Sequence, residues 1–134
     1  MSWFKAFIAG FVATLIFHQG VLALLWLAGA APIAPFNMTQ VPPFHVPQVI
    51  SLAFWGGIWG VPAWWVIGGR RGWRYWGAGL AFGAVLPTSV AMLLVFPLKG
   101  LEVTAMTVVG GLLLNGAWGL GVCLGMHAMA PRPS

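Results

Sequence analysis

At 134 residues the chain is long enough for one soluble domain, yet 60% of its residues are hydrophobic, 5% are charged and mean hydropathy is +0.94. A soluble domain carries roughly 25% charged residues, so this composition excludes one and points to an integral membrane protein whose first partner is the lipid bilayer. The net charge of +5 comes from basic side chains scattered among apolar stretches, which form no continuous basic face for a nucleic acid.

Four uninterrupted apolar stretches, Ala6–Ala31, Val49–Gly69, Trp76–Leu98 and Val103–Ala130, each reach the roughly 20 residues that span a hydrocarbon core. They predict an all-α, polytopic membrane protein. Its single transmembrane domain over 1–134 has helices at about 4–30, 48–69, 75–98 and 103–129. In the first stretch, Ala28-Gly29-Ala30 has the small-x-small form of a signal-peptidase site. The apolar run before it is longer than a signal h-region and contains His18 and Gln19, so a retained helix is expected.

The segment 31–47 holds Pro32, Pro35, Pro42, Pro43 and Pro47 with Phe36, Phe44 and His45. Proline removes backbone donors and disfavours helix before it, which predicts an extended or turned cap on the outer surface. The loop 70–74 is expected on the cytoplasmic side. There Arg70, Arg71 and Arg74 meet lipid headgroups, and Trp73, Tyr75 and Trp76 form an interfacial belt. Lys5, these three arginines and Arg132 fall on one side of the spans, and only Lys99, beside the sole acid Glu102, falls on the other. The positive-inside rule then places both termini in the cytoplasm, N-in/C-in.

A repeat is legible when the first span is set on the third and the second on the fourth. Gly10 meets Gly79, Val21 meets Val90, and Gly57-Ile58-Trp59-Gly60 meets Gly116-Ala117-Trp118-Gly119. Two hairpins entering from the same side would be parallel repeats. Glycines at spacing four, Gly56 and Gly60, Gly79 and Gly83, Gly121 and Gly125, with Gly119, are GxxxG-type packing positions that let helix backbones approach closely. The fourth span carries a longer series, Thr107, Gly111, Asn115, Gly119, Cys123 and His127, which winds slowly around the helix and suits a neighbour crossing at an angle.

Polar side chains inside a span are expensive and are functional candidates. His18 and Gln19, Thr88 and Ser89, and Asn115 fall at similar depth, with Pro87 marking a kink. They predict one midplane polar layer, in which His18 and Gln19 reach Asn115 or Thr88. The layer reads either as hydrogen bonding that fixes the packing or as the lining of a solute path. His18, one turn above Thr14, also raises a pigment or haem site; no other cofactor and no metal motif is indicated. His127 lies on the order of 15–20 Å from His18 along the bundle, so the two cannot be axial ligands of one haem. Cys123 is the one cysteine, and no catalytic set is suggested by position. The absence of an intramembrane acid counts against a proton-coupled carrier.

The stretches Phe17-His18-Gln19-Gly20, Pro42-Pro43-Phe44, Ile50-Ser51-Leu52-Ala53-Phe54-Trp55-Gly56-Gly57 and Asn115-Gly116-Ala117-Trp118-Gly119 resemble those of small, functionally uncharacterised four-helix inner-membrane proteins of proteobacteria. The resemblance implies a bacterial inner membrane, and it implies no activity and no site residues. Three functions are then weighed. The first is a non-catalytic accessory subunit packing into a homo-oligomer or among other membrane subunits. The second is a small-solute channel or carrier formed by oligomerisation, and the third is a cofactor- or pigment-holding subunit.

Overall fold

The computed structural model describes residues 2–132; residues 1, 133 and 134, on which the expectation for the two termini falls, lie outside them. Four helices, α1 (Trp3–Leu27), α2 (Gln48–Ile67), α3 (Trp73–Leu98) and α4 (Ala105–Met129), are long and apolar enough to span a membrane. Several of their ends have local causes. Gly29 and Gly100 sit at φ +73° and +69°. Ala30 N–H donates to the Leu25 carbonyl and Leu101 N–H to that of Phe96, at 2.8 Å each, so α1 and α3 both stop in a glycine-terminated Schellman turn. That turn ends α1 three residues before the expected boundary and makes Ala28-Gly29-Ala30 a helix cap.

Gly72, at φ +60°, turns the chain into α3 at Trp73, so Trp73 and Arg74 belong to the first helical turn and not to the expected 70–74 loop. Helix α4 begins behind a reciprocal cap. Thr107 N–H donates to Thr104 Oγ1 at 3.2 Å, and Thr104 N–H donates to Thr107 Oγ1 at 2.8 Å.

Two antiparallel hairpins, α1–α2 and α3–α4, form the bundle, and α1 lies along α4 between them. Each hairpin closes with one glycine lodged between two. Gly10 of α1 sits between Gly56 and Gly60, and Gly119 of α4 between Gly79 and Gly83. The pairs matched by the repeat, Gly10 with Gly60 and Gly79 with Gly119, are both in contact. The two-glycine clasp, however, is on the second helix of one hairpin and on the first helix of the other.

Between the hairpins, Ala9 and Ala13 of α1 pack on Gly125 and Gly121. Trp59 and Phe82 meet edge to face at 6.1 Å between α2 and α3. The core runs through Ala13, Ala63, Ile67, Phe82, Trp118, Val122 and Met126, all in the half of the bundle whose end carries Lys5 and the arginines. Toward the other end the helices part. The buried stretch of α4 is Gly116 to Met126, whereas Met106, Val109 and Leu113 are exposed, as are Leu93, Leu94 and Leu98 on α3.

Helix α1 contains a wide, π-type turn over Thr14–His18, and α3 has another over Ala91–Val95, one turn beyond Pro87. The first has a visible effect. Burial along α1 steps through Ala6, Ala9, Gly10, Ala13 and Thr14 at helical spacing and resumes at Gln19, five residues on. One extra residue in the turn moves the buried stripe by one position.

The connection between α1 and α2 carries a two-stranded ribbon, β1 (Gln40–Val41) with β2 (Val46–Pro47), paired Gln40 to Pro47 and Val41 to Val46. It is tied to the start of α2 by Gln48 N–H to the Thr39 carbonyl (2.9 Å) and Val49 N–H to the Asn37 carbonyl (3.0 Å).

Candidate functional site

The midplane residues resolve into two separate pairs rather than one layer. Asn115 Nδ2 donates to Thr88 Oγ1 at 2.9 Å across the α3–α4 hairpin. Thr88 is buried against α4, where its side chain lies over Gly111. Ser89, one residue on, is turned out of the bundle; its hydroxyl donates back to the Val85 carbonyl at 2.6 Å. Expecting Ser89 in the layer misjudged its direction: a residue next in sequence to a buried helical position is turned by about 100°.

The other pair is on α1. Gln19 is buried, and its Oε1 accepts the Phe36 backbone N–H at 2.7 Å. That bond orients the amide, so Nε2 donates to His18 Nδ1 at 3.1 Å and the imidazole proton sits on Nε2. Gln19 thus ties the Pro-rich connection to the wide turn, rather than reaching Asn115 or Thr88 as expected. A cofactor ligated through His18 Nδ1 would first have to displace the Gln19 amide.

A third polar contact was not anticipated. Trp118 is buried and its indole Nε1 donates to the Gly10 carbonyl at 3.0 Å, joining residues 108 apart in sequence. The same carbonyl accepts the Thr14 hydroxyl at 3.0 Å. Gly10 thus has two roles: its carbonyl takes the Trp118 indole, and its missing Cβ lets α1 close on α2, since a Cβ there would run into the Gly56 carbonyl. The repeat alignment had marked Gly10 and Trp118, but nothing in composition paired them.

Lower in the same half, Tyr75 hydroxyl donates to the Cys123 carbonyl at 2.5 Å, and Cys123 Sγ lies 3.5 Å from the Tyr75 carbonyl. The spacing-four series of α4 is therefore the track of α3. Gly111 meets Thr88, Asn115 bonds to it, Gly119 enters the clasp, Cys123 meets Tyr75 and His127 lies beside Trp76. Thr107 instead completes the reciprocal cap with Thr104. The packing glycines read from the sequence, Gly56, Gly60, Gly79, Gly83, Gly119, Gly121 and Gly125, all lie where an added Cβ would meet a neighbouring helix.

Among the described residues every buried side-chain nitrogen and oxygen has a hydrogen-bond partner, and no group of three or more His, Cys, Asp or Glu side chains converges on a point. At the basic end, Arg70 Nε donates to the Val66 carbonyl at 3.0 Å and the Arg74 guanidinium lies 5.7 Å from the Trp73 ring centre. Arg70 and Arg71 line a cleft of about 360 Å³ there, together with Trp64, Tyr75, Trp76 and His127. No family model, curated protein or solved structure matches the chain.

Proposed function

We propose that the chain is an integral protein of a bacterial inner membrane, with its basic end cytoplasmic, and that it acts as a non-catalytic packing subunit of an oligomer or larger membrane complex. The observation that carries this reading is how the bundle uses its polar groups. Gln19, Thr88, Asn115 and Trp118 bond to one another's elements or to the connecting loop, as expected of side chains that fix helix packing in hydrocarbon. A solute path would need such groups turned toward a passage.

The surface supports the same reading. Where α3 and α4 part, Gly110 has no neighbour within 4 Å. It lies beside exposed Val109 and Leu113, so a small residue is offered at the level where another helix could approach.

Photo-crosslinking side chains placed at Leu94, Val109 and Leu113 in native membranes test the function. The expected result is a protein adduct of one defined mass, either twice this chain or this chain plus one partner. Lipid adducts alone at all three positions would overturn it. Orientation has its own measurement. Thr39→Cys should react with a membrane-impermeant thiol reagent in intact cells, and Gly69→Cys, at a position with open space around it, should not. The native Cys123 is buried and provides the unlabelled background. Labelling confined to Gly69→Cys would invert the orientation.

A further inference from the structure

We propose that the cleft between the α2–α3 turn and the end of α4 binds the phosphate headgroup of an anionic phospholipid. This rests on the membrane reading above and deepens it, because it replaces a general attraction of arginines to the bilayer with one discrete site.

Charge is the first reason. Arg70 and Arg71 line the cleft with His127, and Arg132 borders the adjoining hollow. The only acidic side chain in the chain is Glu102. It follows the far end of α3, a helix of 26 residues, which puts it on the order of 40 Å away. No Asp or Glu side chain can therefore neutralise this cluster.

Geometry is the second reason. The Arg70 side chain is anchored through Nε to the Val66 carbonyl, which leaves its terminal nitrogens to donate elsewhere. The Tyr75 hydroxyl is already spent on Cys123, so the arginines, His127 and the indole N–H groups of Trp64 and Trp76 are the side-chain donors left to meet an anion. Beneath them, Trp64, Trp76 and Met126 provide an apolar floor, and the rings of Trp76 and His127 stand 6.4 Å apart. A free phosphate gains nothing from that floor, whereas the glycerol and first methylenes of a lipid do. The volume of about 360 Å³ falls in the range of small-ligand pockets, roughly 300–1,000 Å³. Basic pockets between membrane helices at the cytoplasmic face are suited to anionic headgroups.

Arg74 separates a site from a diffuse field. It belongs to the same basic cluster but lies over Trp73 and does not line the cleft. Purified full-length chain in phosphatidylcholine nanodiscs doped with phosphatidylglycerol is examined by native mass spectrometry, with helicity checked by circular dichroism. One phosphatidylglycerol per chain should be retained in preference to phosphatidylcholine. Arg70→Gln with Arg71→Gln should weaken retention about tenfold, and Arg74→Gln should leave it unchanged. If the double variant loses its helicity, Arg71→Gln alone carries the comparison.

Equal weakening by Arg74→Gln, or no preference between the two lipids, overturns the site. Displacement of the lipid by millimolar inorganic phosphate assigns the cleft to a soluble anion and overturns the lipid proposal. Extraction of the chain from native membranes by alkaline carbonate would instead sink the membrane reading on which the site rests. An integral chain without lipid preference sinks the site alone.

Discussion

Gly10→Ala and Gly119→Ala will each remove most of the folded protein, whereas Gly20→Ala and Gly110→Ala will leave the yield unchanged or slightly raise it. The four substitutions are chemically identical and differ only in what the new methyl meets. At Gly10 it meets the Gly56 carbonyl and the Gly57 Cα at 3.1 Å; at Gly119 it meets the Gly79 carbonyl and the Gly83 Cα at 3.2 Å. These are backbone atoms of a neighbouring helix and cannot rotate away, so the hairpin has to open. Overpacking typically costs 1–3 kcal/mol and occasionally more, out of a total of about 5–15 kcal/mol. The clasp positions should fall at the upper end, because separating the helices also forfeits the other glycine contacts. Gly20 and Gly110 have nothing within 4 Å, and there alanine contributes about 0.5–1 kcal/mol through helix propensity. Thermal unfolding in detergent should therefore move in opposite directions for the two pairs. Equal sensitivity at all four would show that the clasps do not hold the hairpins.

The second large effect is expected at Gln19→Leu. Leucine fills similar space but cannot accept the Phe36 N–H, and that amide would be left without its partner beside the apolar bundle. An orphaned donor costs about 1–3 kcal/mol when fully buried, and this part-buried bond at a half-exposed Phe36 should fall toward the lower end. Phe36 is also held at φ +52°, a region that non-glycine residues occupy only when their surroundings hold them there. Loss of the tie should release the segment preceding the ribbon before it affects the helices. Amide hydrogen exchange around Phe36 should accelerate by up to about tenfold, while exchange in the lower halves of α1 and α4 stays slow. Unchanged protection around Phe36 would show that the ribbon and its bonds to α2 hold the connection without Gln19.

The four helices were legible because each apolar run is as long as a helix able to span a membrane, and the packing glycines because spacing four recurs on three of them. The boundaries shifted where backbone conformation outweighed hydropathy. Gly29 ends α1 while the sequence is still apolar, and Gly72 starts α3 among arginines and aromatics that resemble a loop. The polar residues were legible as a set but not in their pairing. An alignment of depths assumes unbroken helices, and the wide turn at Thr14–His18 breaks that assumption by moving Gln19 onto the buried face. The Phe36 amide could not have been found at all, since a backbone donor in a proline-rich stretch has no side-chain signature. Trp118 was visible only as one more tryptophan, because its partner is a backbone carbonyl on another helix.

The glycine clasps carry a consequence for how the chain is divided. Each hairpin is fitted internally, single glycine against double, and neither clasp draws a residue from the other hairpin. The helices α1 and α4, which bear the single glycines, are also the first and last of the four, and they lie antiparallel with their basic ends together. A circularly permuted chain, opened in the α2–α3 turn and joined from Arg132 back to Ser2 by a flexible linker, would keep both clasps, the alanine–glycine seam and the bond from Trp118 to Gly10. It would give up the continuity of the turn between Ile67 and Trp73, and with it the fixed placement of Arg70 and Arg71 in the cleft. The bundle is in this sense modular: two prefitted units whose order along the polypeptide is incidental to their fit.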